Sequence, residues 1–361
     1  MINPDYSGGG LANLVTELEG RLTGHHAGVS LRPHLAAEVP DARTYVMLLV
    51  DGLGIAQLDH PAAGAMTEAN RGTLHAPFPS TTSVSLATVA TGRPPSEHGL
   101  VSHLAWLEEV GGVVNTLKWV DLTGLPVTYD YASMLPQPNL WERLRASGVE
   151  PITVQPGSFE GSPLSRLLYR GARFEATRNS SDLVDATVQL AGTGKRLIFT
   201  YVWQVDFAAH VSGMASPEFS EAVTLASRVW DDLASRLPAD VALIGTADHG
   251  LVEFSDQDKI LIRDKRFDPL RFAGDPRGVL LWGDRPLIHE LRDVTGGTLV
   301  DPIGIIGPNP SAVARRRMGQ DLLIPPEGKV ILPPGFDKRL RCYHGGVSAA
   351  EIQIPLLVRQ P

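Results

Sequence analysis

The sequence predicts an α/β fold with a doubly wound, mainly parallel sheet sandwiched by helices. Apolar runs at residues 45–50, Arg196–Val202 and Val241–Thr246 have the length of buried strands. Helical apolar spacing fills residues 181–191 and 217–237 between them. Strands that alternate with helices in this way build parallel sheets with covered faces.

The elements follow in order. Residues 11–22 carry helical spacing after the Gly8-Gly9-Gly10 turn. Residues 45–50 form the first buried strand. Residues 83–91 form a small-residue helix behind a proline turn and a hydroxyl-rich stretch, Pro79-Ser80-Thr81-Thr82. Residues 101–114 and 127–129 read as a hairpin-like region, with a helix over 139–145 after it. Residues 152–154 and Arg196–Val202 add parallel strands, and Val241–Thr246 completes the sheet. Between 260 and 335, short strands at Gly278–Trp282, 296–300 and 328–332 are separated by turns rich in Pro and Gly. That region reads as a small inserted α+β cap, which leaves residues 1–259 and 336–361 as the core. Arg315-Arg316-Arg317 within it reads as a solvated helix face.

Composition bounds the function. The 361 residues are 43% hydrophobic and 20% charged, enough for a large core. A net charge of −8 argues against binding a nucleic acid polymer. The single cysteine, Cys342, excludes an internal disulfide and reads as a small packed residue. No signal-like start and no membrane-length apolar stretch is visible, so a cytoplasmic location without a membrane contact is expected.

Chemistry concentrates at the strand ends. The first strand runs into Asp51-Gly52, the strand at 196–202 leads to Asp206 and His210, and the strand at 241–246 leads to Asp248-His249-Gly250. Tyr343-His344-Gly345-Gly346 follows near the C-terminus. The carboxyl ends of strands in an open α/β sheet form one rim, where ligands bind. Three carboxylates and three imidazoles there suit Zn²⁺ or Mn²⁺, and six donors suffice for two ions. The hydroxyls of residues 80–82 open a helix, whose N-terminus offers free N–H groups and a positive dipole end. A metal-bound hydroxyl there can attack phosphorus as an alkoxide.

These motifs resemble the alkaline phosphatase superfamily, most closely its nucleotide pyrophosphatase/phosphodiesterase branch, the type I phosphodiesterases. Pro79 leads the segment, Thr82 stands nine residues before Thr91-Gly92, and Pro95-Ser96-Glu97-His98-Gly99 follows. The resemblance spans about residues 45 to 355 and implies an alkaline phosphatase-like core. It selects Thr82 as nucleophile and implies one ion on Asp51, Thr82, Asp248 and His249. It implies a second ion on Asp206, His210 and His344. Zn²⁺ is the first choice and Mn²⁺ the second. His98 is implied to be a turn element.

The implied activity is hydrolysis of a small phosphate ester or nucleotide through a covalent phospho-threonine. A phosphomonoesterase, a phosphonoacetate hydrolase, a metal-dependent phosphomutase and a metal-binding scaffold without turnover are the alternatives. The chain departs from the family pattern at Ser85, where a phosphoryl-binding Asn is expected, and has Val205 and Ala209 in the second ligand segment. Ser85 is therefore expected to touch substrate, and Trp203 to offer a nucleotide base an aromatic face.

Overall fold

The structure is a computed structural model and describes residues 1–359. Its main sheet has seven strands, in the spatial order Asn70–His75, Gln353–Val358, Val241–Thr246, Thr44–Val50, Arg196–Val202, Glu150–Pro156 and Arg173–Thr177. The last five pair in parallel, and Gln353–Val358 runs antiparallel to both its neighbours. Thr44–Val50 is buried at every position, as a central parallel strand covered on both faces must be. Flanking helices include Ser180–Ala191 and Pro217–Arg236, the second burying Phe219, Val223, Trp230 and Leu233. The fold is thus the expected helix-flanked, mainly parallel α/β sheet.

Register creates the rim. Val50 pairs with Val202, and Leu49 with Thr246, so the three central strands end level. The Asp51 N–H donates to the Val202 carbonyl at 2.8 Å, which ties the first loop to the neighbouring strand end. Asp51, Asp206 and Asp248 leave the sheet on the same side for this reason.

A second, antiparallel sheet covers the cleft. Its seven strands are Thr298–Val300, Asp321–Ile324, Gly278–Trp282, Arg271–Asp275, Leu104–Leu107, Gly112–Asn115 and Val120–Asp121. The stretch 260–335 supplies four of these strands, and 104–121 supplies the other three across the pairing Gly274↔Leu104. Ile288 and Leu291 of the helix Arg285–Thr295 pack on Val279, Leu281 and Leu323 of this sheet.

Some expectations fail locally. Residues 127–129 form no strand; only an isolated bridge between Val120 and Pro126 stands nearby. Arg315 and Arg316 are exposed as expected, but Arg317 is buried and donates to the Gly99 carbonyl at 2.8 Å. Its guanidinium satisfies a carbonyl at the end of the short helix Pro95–His98, a contact that no charge run announces. Among the described residues, no helix is long and apolar enough to cross a membrane.

Candidate functional site

Thr82 is the first residue of the helix Thr82–Thr91, with Thr81 extended at the N-cap. Its hydroxyl lies 3.2 Å from His249 Nε2 and 3.5 Å from Asp51 Oδ1. His249 Nε2 is 3.4 Å from both Asp51 Oδ1 and Asp248 Oδ2. Beside this cluster, His210 Nε2 is 3.2 Å from Asp206 Oδ1 and 3.2 Å from His344 Nε2. His344 Nε2 is 3.8 Å from Asp206 Oδ1. The rings of His249 and His344 stack at 3.7 Å, so His249 stands between the two groups and lies within 4.8 Å of ligand atoms in each. The seven residues singled out at the strand ends and the helix start are therefore brought together.

Main-chain carbonyls orient the imidazoles. His210 Nδ1 meets the Cys342 carbonyl at 2.7 Å, His344 Nδ1 the Ser80 carbonyl at 2.9 Å, and His249 Nδ1 the Gly250 carbonyl at 3.2 Å. A carbonyl only accepts, so each Nδ1 carries the proton and each Nε2 lone pair is left for the cluster. The Cys342 thiol itself is buried and pushed up to about 12 by that burial, which leaves its carbonyl as the useful group.

The carboxylates are short of partners. Asp248 Oδ1 accepts from the Gly52 and His249 N–H groups at 3.0 Å each, and Asp51 accepts from the Tyr201 hydroxyl. Asp248 Oδ2 and Asp206 Oδ1 are buried without a hydrogen bond; the approach of His210 to Asp206 lacks the required geometry. Burial pushes Asp206 and Asp248 up to about 7, and burial together with the Asp248 charge raises Asp51 well above the usual range. Burial holds His249 down to about 3 and His344 well below its usual value, so both imidazoles are neutral. Buried carboxylates with unused lone pairs beside neutral imidazoles fit divalent cations, which would restore the charged form. Gly52 allows the crowding: its φ is +75°, and a Cβ there would lie 3.0 Å from Asp206 Cβ.

A cleft of about 450 Å³ opens from Thr82, Asp206, His210 and His344 toward the second sheet. Two residues on its wall were not anticipated as site residues, His103 and Asp275. Asp275 is 2% exposed; it accepts from the His103 N–H at 3.3 Å and from the Thr81 side chain, and burial pushes it up to about 7. A Cβ on Gly345, whose φ is +101°, would come within 2.5 Å of Asp275 Cβ. Asp275 thus ties the Thr81–Thr82 loop and the His344 loop to the second sheet. It ends a strand, as the rim carboxylates do, and that signal would have found it; His103 carries no such mark. Burial holds the His103 ring down to about 4, so it faces the cleft neutral.

Two expected substrate contacts lie elsewhere. Ser85 is fully buried and donates to the Asp248 carbonyl at 2.8 Å; three residues along a helix, it faces the strand end rather than the cleft. Trp203, half-buried, packs against the main core and meets Phe207 edge-to-face at 5.3 Å; Phe207, Phe336 and Tyr343 are the aromatic residues (besides the imidazoles) that line the cleft. His98 is buried and is held between Thr88 Oγ1 and the Leu100 N–H, which fits a turn element.

A family model for type I phosphodiesterase / nucleotide pyrophosphatase matches residues 45–271, more than half of the chain, and the chain belongs to that family. No curated protein sequence matches it. Murine ectonucleotide pyrophosphatase/phosphodiesterase 5 is similar in structure, with a TM-score of 0.66, 17% identity and 88% of each chain covered. An inactive threonine-to-alanine form of the murine protein, in complex with AMP, gives a TM-score of 0.64 at 16% identity, with 87% of each chain covered. Phosphonoacetate hydrolase from Sinorhizobium meliloti, in complex with phosphonoformate, gives 0.60 at 20% identity over 89% of this chain and 91% of that one. These likenesses show a shared fold.

Proposed function

We propose that the chain is a phosphoester hydrolase of the phosphodiesterase/nucleotide pyrophosphatase type that works with two divalent ions and uses Thr82 as its nucleophile. One observation supports this most: the Thr82 hydroxyl opens a buried helix and stands within 3.5 Å of both Asp51 and His249. Asp51, Thr82, Asp248 and His249 would hold one ion, and Asp206, His210 and His344 the other, with Zn²⁺ preferred over Mn²⁺. When bound, such ions supply Lewis-acid polarisation and charge neutralisation for an in-line displacement. Thr82 Oγ1, its proton lost to solvent water, attacks phosphorus; the Oγ1–P bond forms as the ester P–O bond breaks, and the leaving oxygen takes the electron pair and then a proton from water. Water then displaces Thr82 and restores its hydroxyl. The first N–H groups of the helix Thr82–Thr91 have no helical acceptor and are available to the phosphoryl oxygens.

The murine relative binds AMP and the bacterial one is a phosphonoacetate hydrolase, so nucleotides and phosphonates join simple esters as candidate substrates. The test is turnover of bis-p-nitrophenyl phosphate, p-nitrophenyl phosphate, a nucleotide diester and phosphonoacetate with Zn²⁺ or Mn²⁺. Trapping and mapping the phospho-enzyme by mass spectrometry accompanies it. Diester turnover lost on chelation, with the phosphoryl group on Thr82, is expected. A label on Thr81 or Ser80 sinks the nucleophile assignment, and two bound ions without turnover favour a metal-binding scaffold.

A further inference from the structure

We infer that Glu351, fixed by Arg277, is a positioning residue that sets the imidazole of His344 and so the outer ion site, the one at Asp206, His210 and His344. The inference rests on reading those three residues as ligands. Glu351 lies outside both clusters, is fully buried and takes no part in the proposed transfer. It is the third residue of the short helix Ala349–Ile352, in a capping box with Ser348. A capping-box glutamate reaches back to its own N-cap. Here the carboxylate reaches further. Its Oε1 accepts from the Gly346 N–H at 2.9 Å, and its Oε2 from the Ser348 hydroxyl at 2.6 Å. Arg277 stands at the turn between the strands Arg271–Asp275 and Gly278–Trp282 and meets both oxygens, with Nε at 3.1 Å and Nη2 at 3.0 Å.

The same residue touches both ligand loops. The Glu351 carbonyl accepts from the Gly250 N–H at 2.9 Å, directly after His249, while its side chain holds Gly346, two residues after His344. A Cβ on Gly250 would lie 2.0 Å from the Ala350 carbonyl oxygen, and one on Gly346 2.6 Å from Glu351 Oε1. Glycine at both positions lets this turn press against both loops. The segment that leads to Thr82 grips the 344–346 loop from the other side. Ser80 Oγ donates to the Gly346 carbonyl at 2.9 Å and accepts from the Gly345 N–H at 3.2 Å, and the Ser80 carbonyl is the acceptor of His344 Nδ1. The loop is held between Glu351 and Ser80, so the aim of the His344 Nε2 lone pair depends on both. Desolvation offsets much of the attraction between Arg277 and Glu351. What the two-pronged contact supplies is a fixed plane for the carboxylate that holds Gly346.

The test is chelator competition for zinc on the full chain, with the ions counted, beside nitrogen NMR of the His344 ring, assigned by its loss in His344→Gln. Glu351→Gln puts an amide NH2 where a carboxylate oxygen accepted. It should weaken one ion by about tenfold or more, the scale of losing a group that orients a ligand, and leave the other in place. The His344 ring, held with its proton on Nδ1 in the metal-free wild type, should become a mixture of tautomers. Ser80→Ala loosens the same loop from its other side and should act in the same direction more weakly; it decides the matter where Glu351→Gln does not fold. Leu183→Ala, in the helix Ser180–Ala191, removes core packing outside these loops and should move neither readout. An unmoved tautomer, or an equal loss of the ion in Leu183→Ala, overturns the inference. A wild type that binds fewer than two ions, with a tautomer that still responds to Glu351→Gln, sinks the two-ion reading and leaves the positioning role standing.

Discussion

The two clusters of carboxylates and imidazoles differ in how they are built. Asp51, Asp248 and His249 stand directly on strand ends, and the side chains of Asp248 and His249 are fully buried. Asp206, His210 and His344 hang from a helix and a C-terminal loop, with side chains 12–17% exposed toward the cleft. The first cluster is clamped by sheet backbone: two N–H groups hold one oxygen of Asp248. The second is oriented only through carbonyls of Cys342 and Ser80. Under the proposed function the difference implies a division of labour, with a buried inner cluster beside the Thr82 hydroxyl and an outer cluster at the mouth of the cleft.

The comparison can be broken most sharply at Thr82. Thr82→Ala should lower turnover by about a thousandfold or more, because the attacking oxygen is gone while Asp51, Asp248 and His249 remain. Thr82→Ser should keep measurable turnover, and Thr81→Ala should be far milder. Steady-state rates beside metal analysis check this; full activity in Thr82→Ala would end the case for this loop.

Removing one ligand from each cluster gives the next effect. Asp248→Ala should cost stability on the order of 1–3 kcal/mol, since two buried N–H groups lose their acceptor. His344→Ala and Asp206→Ala should instead each lose the same single ion, with little change in melting temperature. Thermal unfolding together with ion counting separates the patterns, and equal destabilisation by all three would erase the distinction between clusters.

Graded chelation sharpens it further. The purified protein should hold close to two ions, and a weak chelator should strip the outer one first because its ligands face solvent. Simultaneous loss of both would show that burial does not govern exchange here.

The smallest expected effect concerns Asp275. Its folded pKa, about 7, lies above the ordinary value of 3.8 because it is buried. The favourable protonated form is thus fully present below pH 3.8, and its stability contribution is lost as pH rises toward 7. Asp275→Asn keeps an acceptor for Thr81 and His103 without the charge. Its melting temperature relative to wild type should therefore climb between pH 4 and 7. A flat difference across that range would mean that Asp275 is stabilised by contacts other than these.

Much of the inner site was legible because its residues follow buried strands directly. A level parallel register carries every strand-end carboxylate to one rim, so Asp51, Asp206 and Asp248 could be gathered without knowing the sheet order. Gln353–Val358 was not anticipated, since Pro355 interrupts its apolar run; in the structure Pro355 pairs with Thr73, and the register shifts only beyond it, between Leu356 and Leu357.

By itself the sequence determined the helix-flanked parallel core, the carboxylates and imidazoles that gather at its rim and the hydroxyl at the head of the helix. These depend on local periodicity and on what immediately follows a strand. Only the tertiary structure decided which wall faces them. The hairpin-like region at 101–114 reads from its own residues, but the third strand Val120–Asp121 and the pairing with the strand Arg271–Asp275 leave no local trace, the latter being long-range. The same holds for the aim of single side chains. Ser85 turns to a carbonyl, Trp203 turns to the core, and Phe207 and Asp275 take the cleft, because packing of distant segments, not spacing along the chain, sets what each one meets.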